Sequence, residues 1–194
     1  MTNRLVLAAL LVLPGVAPAA SWKVDPAHSA ASFTVRHLMI SNVKGEFGKP
    51  SGAVEFDRAD PSKTKIDATI DIATLTTREP DRDKHLKSPD FFDIEKFPVM
   101  KFRSTSVHAA GSGKLKLTGD LTIHGVTKEV TFDVDGPTPE IKDPWGNSRI
   151  GATATTKVNR KDFGLIWNKA LDGGGVMIGD EVTVTLDVEL VQAK

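Results

Sequence analysis

The stretch RDKHLKSPDFFDIEKFP, residues 82–98, gathers an Asp, a His, further acids and two adjacent Phe into one short segment. Asp83 and His85 have the types required of an acid–base pair. Asp81, Asp83, Asp90, Asp93 and Glu95 are close enough in sequence for chemistry by paired carboxylates. Arg82, Lys84, Lys87 and Lys96 are interleaved with them, however. Mixed charge in a segment without alternation is the pattern of a solvated face or a capped short helix. Carboxylates that cleave sugars would also want stacking aromatics, and the chain has no Tyr and only 3 Trp.

Other chemistries find less support. A nucleophile elbow needs G-x-S-x-G on a strand-to-helix turn, and no such motif occurs. His28, His37, His85, His108 and His124 are scattered, with none of the spacings that a local metal site uses, so no metal is expected. His37 and His124 are expected at strand ends or turns, donating hydrogen bonds there. The glycines of LDGGGVMIGD (171–180) lack the Lys-Ser/Thr of a phosphate-binding loop and lead into a strand, which predicts a hairpin loop. Cysteine is absent, which excludes a disulfide framework, a thiol nucleophile and a thiolate ligand. No cofactor is expected.

The ends and the charge set the setting. Residues 1–20 carry a basic Arg4, an apolar run from Leu5 to Leu13, a Pro14-Gly15 break and a small-x-small Ala17-Pro18-Ala19, which together predict a cleaved secretory signal. That run is too short to span a bilayer, which takes about 20 residues. The expected mature chain, residues 21–194, is one secreted domain without stable membrane insertion. Removing residues 1–20 takes Arg4 from 25 basic residues and leaves 24 against 25 acidic ones. Such a balance offers nucleic acid no basic footprint. Oligomeric state is not legible.

The elements that must position any site are β almost throughout. In KTKIDATIDIATL (63–75), Ile66, Ala68, Ile70 and Ile72 alternate with polar residues. In DEVTVTLDVELV (180–191), Val182, Val184, Leu186, Val188 and Leu190 do the same. Weaker alternation marks 30–38, 52–57, 98–107, 113–118 and 128–135, and a Thr-rich strand is expected at 149–160. Gly, Pro and Asp clusters punctuate these runs at the spacing of an antiparallel meander. Only 76–96 is long enough for helix and free of alternation; a second helical turn is expected near 160–170. About eight amphipathic strands leave a sandwich or a closed barrel. The regular last strand and short connections favour an eight-stranded antiparallel barrel, which can hold one small ligand.

Phe is the main aromatic, with 9 copies. An interior of Phe, Val, Ile and Leu selects by shape and apolarity, and the residues leave open whether it is filled or hollow. SWKVDPAHSAASFTVRHLMISNVKGEFGKPSGAVEFD (21–57) resembles the start of the YceI-like family, through Trp22, Asp25, His28-Ser29, Phe33, His37, Gly45 and Phe47. RDKHLKSPDFFDIEKFPVMKFRST (82–105) resembles its central signature, and GDLTIHGVTKEV (119–130) and NRKDFGL (159–165) resemble later blocks. The resemblance implies an all-β, lipocalin-like barrel with a short helical lid. It also implies a periplasmic protein that binds polyisoprenoid or a similar amphipathic lipid, such as an isoprenoid quinone, and that sequesters or shuttles it without catalysis.

On that basis Phe33, Val35, Phe47, Phe91, Phe92, Phe102 and Phe132 are candidates to line the pocket. His37, His85 and Arg160 are candidates to meet a head group, although each also suits a structural hydrogen bond. The charged half of 82–98 is expected to face water, with Leu86, Phe91, Phe92 and Phe97 turned inward. Two alternatives stay open: an enzyme acting on a lipid or quinone-like substrate through Asp83 and His85, and a ligand-free stress-response module with a filled barrel.

Overall fold

The computed structural model describes residues 20–193. The signal-peptide expectation therefore lies, Ala20 aside, outside the described residues. The alternating runs form strands β1 (Ala20–Val24), β2 (Ala30–His37), β3 (Ser41–Glu46), β4 (Pro50–Phe56), β5 (Lys65–Asp71) and β6 (Val99–Ala109). They continue as β7 (Lys114–Ile123), β8 (Val126–Asp135), β9 (Ile141–Lys142), β10 (Ser148–Asn159) and β11 (Ile178–Gln192). β1, β3 and β9 are too short or too polar to show alternation, and none was expected from the sequence.

Closure depends on β11. One of its edges pairs with β10, from Arg149↔Val191 to Asn159↔Glu181. Its other edge pairs with β2 and then, farther along, with β1. β1 and β2 are thus two halves of one stave, broken at residues 25–29, and β4 and β3 are two halves of the next. With β5, β6, β7, β8 and β10 the circuit is a closed eight-stranded antiparallel barrel, and β9 is an appendage on β10. Closure pairs most of the staves' edges, the advantage of a barrel over an open sheet; β3 ladders with β2 and otherwise meets Thr76 through Glu46.

The expected helix shrinks to α1, Pro80–Lys87. Pro80 suits the first turn, where an N–H has no partner to lose. Ser88 precedes Pro89 and is extended, with φ −74° and ψ 171°, which ends the helix. Residues 88–98 continue as turns over one end of the barrel, here the upper end. The second expected turn is a 3-10 turn at Arg160–Phe163, opening the segment that runs back to β11. At the lower end a 3-10 turn at Pro61–Lys63 is capped by Asp60, whose carboxylate accepts the Ser62 N–H.

Candidate functional site

Because side chains alternate across a strand, one face of each stave points into the tube. Val182, Val184, Leu186, Val188 and Leu190 of β11, and Ile66, Ala68 and Ile70 of β5, all point inward as their period predicts. They do not fill it. An upper chamber of about 400 Å³ lies beneath α1 and residues 88–98. A lower chamber of about 180 Å³ occupies the middle and lower barrel. Phe47, Ile123 and Val184 line both, so the two meet at that level.

All seven pocket candidates reach this hollow. Phe33, Val35, Phe91 and Phe92 line the upper chamber, Phe102 and Phe132 the lower, and Phe47 the junction. Their rings form two groups. Phe47 stands 4.8 Å from Phe33 and 6.1 Å, edge-on, from Phe92, centroid to centroid. Phe102 and Phe132 meet edge-on at 5.4 Å. Glycine makes room for them: a Cβ at Gly45 would sit 2.3 Å from the Phe33 ring, and one at Gly119 would sit 2.5 Å from Phe102.

The lid is pinned by one carboxylate. Asp83 Oδ1 accepts from the Thr77 N–H at 2.6 Å and the Thr77 hydroxyl at 2.5 Å, and its Oδ2 accepts from the Thr76 hydroxyl at 2.9 Å. Arg82 adds bonds to the Thr77 hydroxyl and carbonyl. Burial pushes the Asp83 carboxyl up, but these hydrogen bonds outweigh it and hold its pKa below the ordinary value. Asp83 thus departs from the expectation that the charged half of this segment faces water. Half-burying this carboxylate is tolerable here because its bonds to Thr76 and Thr77 replace water. Of the residues expected to turn inward, Leu86, Phe91 and Phe92 do so. Phe97 instead packs against His124, at 4.7 Å, beside the β7–β8 turn.

The three head-group candidates all border the upper chamber. His37 ends β2, opposite Ser41. His85 stands edge-on to Phe91 at 5.0 Å and to Trp167 at 4.8 Å, with Nε2 2.9 Å from Asp90 Oδ2. It pairs with Asp90 and not with Asp83, whose oxygens are taken by Thr76 and Thr77, so no Asp83–His85 couple forms. Arg160 is buried, and its guanidinium donates to the carbonyls of Gly179 at 3.0 Å, Trp167 at 2.9 Å and Leu165, with Asp180 beside it. Burial lowers its pKa and Asp180 opposes that shift. Its donors bind the segment from 163 to 180 onto the barrel.

Several lining residues escaped the sequence reading. Phe163, Leu165 and Trp167 all line the upper chamber, as do Arg36 and Arg82 at its rim. The first three follow a period of two, with Gly164 and Ile166 exposed between them. That signal was legible, but it lies in a stretch without strand flanks.

A different cluster lies on the outer wall. Ligand-type atoms of Asp25, His28 and Glu189 come within 4.8 Å of one another. Arg149 stands among these acids: Nη1 is 2.7 Å from Asp25 and bonded to Glu189, and Nε is 2.7 Å from Asp143. A fixed guanidinium already sits where a cation would be drawn, which makes the cluster an ion-pair lock between β10, β11, the β1–β2 connection and the loop carrying Asp143.

A closed eight-stranded barrel around a lidded apolar hollow is the architecture of the lipocalin-like barrels. The YceI-like domain family matches residues 22–190, and the chain belongs to that family. A UPF0312 protein of Pseudomonas putida is 42% identical over 163 residues, covering 83% of this chain and 84% of the relative. The Campylobacter jejuni YceI protein superposes with a TM-score of 0.68 at 34% identity, covering 81% of this chain and 90% of that one. A polyisoprenoid-binding domain of Saccharophagus degradans superposes with a TM-score of 0.64, covering 90% and 99%; at 16% identity that likeness speaks to fold alone.

Proposed function

We propose that this protein binds a long apolar lipid, of the polyisoprenoid or isoprenoid-quinone class, inside its barrel and sequesters or shuttles it without chemical change. The observation that carries this reading is the pair of meeting apolar chambers, about 400 and 180 Å³, running down the barrel. The larger volume falls in the usual range for small-molecule pockets. Each methylene moved from water into such a space contributes about 0.8 kcal/mol, so a long chain needs few polar contacts to be held. The polar residues gather at the upper end, where Arg36, His37, Arg82 and His85 stand beside the lid and suit a head group. The Saccharophagus degradans domain, named for polyisoprenoid binding, has the same fold, with which this ligand class is compatible. The basic and then apolar N-terminus supports a periplasmic location.

Native mass spectrometry of protein purified without detergent tests the proposal. The expected result is a stoichiometric lipid adduct, or uptake of an added prenyl lipid. A clean apo mass that takes up no prenyl lipid overturns it.

A further inference from the structure

The hairpin joining β2 to β3 has a three-residue loop, Leu38 to Ile40, with the Ile40 N–H bonded to the His37 carbonyl at 3.1 Å. The two residues inside that bond, Leu38 and Met39, have φ of 49° and 60°. A turn with both central residues left-handed ordinarily carries Asn-Gly or Asp-Gly, because a Cβ there crowds the backbone. Two large apolar side chains at these positions are therefore costly, and a conformational outlier of this kind directs attention to function. The turn also leaves Met39 50% and Ile40 76% exposed.

The neighbouring segment adds to this patch. The Leu38 N–H donates to the Met177 carbonyl, and a Cβ on Gly175 would lie 3.7 Å from Met39 Cγ, so the glycine-rich hairpin abuts the tip. The same segment carries Ile166, 70% exposed. Arg36, His37, Trp167 and Met177, all from these two segments, border the upper chamber, so the patch rims its mouth. Its cations outnumber its acids. Residues 36–44 and 164–178 together contain Arg36, Lys44 and Lys169 against Asp172, and on the lid side Arg82 and Asp81 offset each other.

We propose that this rim is a docking surface for a lipid bilayer carrying anionic head groups, with Met39 and Ile40 as its inserting tip. The proposal deepens the lipid-carrier reading and rests on it for its purpose. Apolar side chains sink into the acyl boundary while flanking cations meet the anionic head groups, the same division used by interfacial helices. Docked in this way, the chamber mouth faces the only phase in which an isoprenoid chain is soluble.

Vesicle flotation of the full protein tests it, using phosphatidylglycerol–phosphatidylcholine vesicles and pure phosphatidylcholine vesicles, both free of isoprenoid. Wild type is expected to float with the anionic vesicles and far less with the neutral ones. Ile40→Asp is expected to lower the floating fraction at least about tenfold, since it replaces the aliphatic chain that enters the bilayer with a charge. Met39→Gly is expected to lower it while keeping or raising Tm, because Gly relieves the left-handed position. That opposite movement separates docking from unfolding. Wild type that fails to float, variants that float like wild type, or equal flotation with both vesicles overturns the proposal. A lipid adduct in native mass spectrometry without flotation overturns docking and leaves the carrier reading intact. Flotation without any adduct does the reverse.

Discussion

Gly45 and Phe33 face each other across the β2–β3 pair, and the ring occupies the space that a side chain at 45 would need. Gly45→Ala forces the Phe33 ring, and with it Phe47, into the upper chamber. Overpacking of this kind costs about 1–3 kcal/mol. Denaturant unfolding is expected to show that loss with an unchanged m-value, and a neutral result would mean that Phe33 has room to swing. The aromatic candidates could be chosen from the sequence because β-strand alternation sends every second residue inward. The need for glycine opposite a particular ring could not, since it depends on which residue stands across the ladder. Arg160 makes the same point: its charge suited a head group or a structural hydrogen bond, and the fold ties its donors to the protein's own carbonyls.

At the scale of elements, the lid is held by a small number of polar contacts. α1 buries none of its own residues, so its position rests on Asp83 and on the Phe91–Phe92 segment that follows. Asp83→Ala leaves the Thr77 N–H and two hydroxyls without their acceptor, a loss of about 1–3 kcal/mol if they stay dry. Hydrogen exchange is expected to rise across 76–98 while the ladders of β6, β7 and β8 keep their protection. Uniform loss of protection would show that the lid and barrel unfold as one unit. The segment's non-strand character was readable, and so was its pair of inward Phe. Its short helix followed from Pro80 and Pro89 only once the extended Ser88 was seen, and the anchoring of Asp83 depends on Thr76 and Thr77 lying alongside.

For the whole molecule, Arg149 joins segments far apart in the chain, meeting Asp25, Asp143 and Glu189. Hydrogen bonds from Arg149 hold the Asp25 and Asp143 carboxyls well below the usual carboxylate range. Carboxylates depressed in the folded state stabilise it above their unfolded pKa, near pH 4, and that stability is lost as pH falls toward their folded values. Thermal unfolding followed against pH is expected to be flat on the neutral side and to lose Tm progressively below about pH 4. Arg149→Ala removes the largest cause that holds Asp25 and Asp143 down, so less stability depends on their ionisation. That variant is expected to have a lower Tm at neutral pH and a shallower loss below about pH 4, and a profile parallel to wild type would show that the lock adds nothing.

The sequence by itself determined the strand class, the inward residues of the long strands, the non-strand lid and the family, because alternation, turn residues and local motifs are all short-range properties. Only the tertiary structure decided that the staves close on β11, that β1–β2 and β3–β4 are broken staves, and that the interior is hollow. Each of these depends on pairings between residues as distant as Trp22 and Gln192, or on the volume left when all inward side chains are in place. Strand periodicity specifies which way a side chain points, and the closed barrel specifies what it meets there.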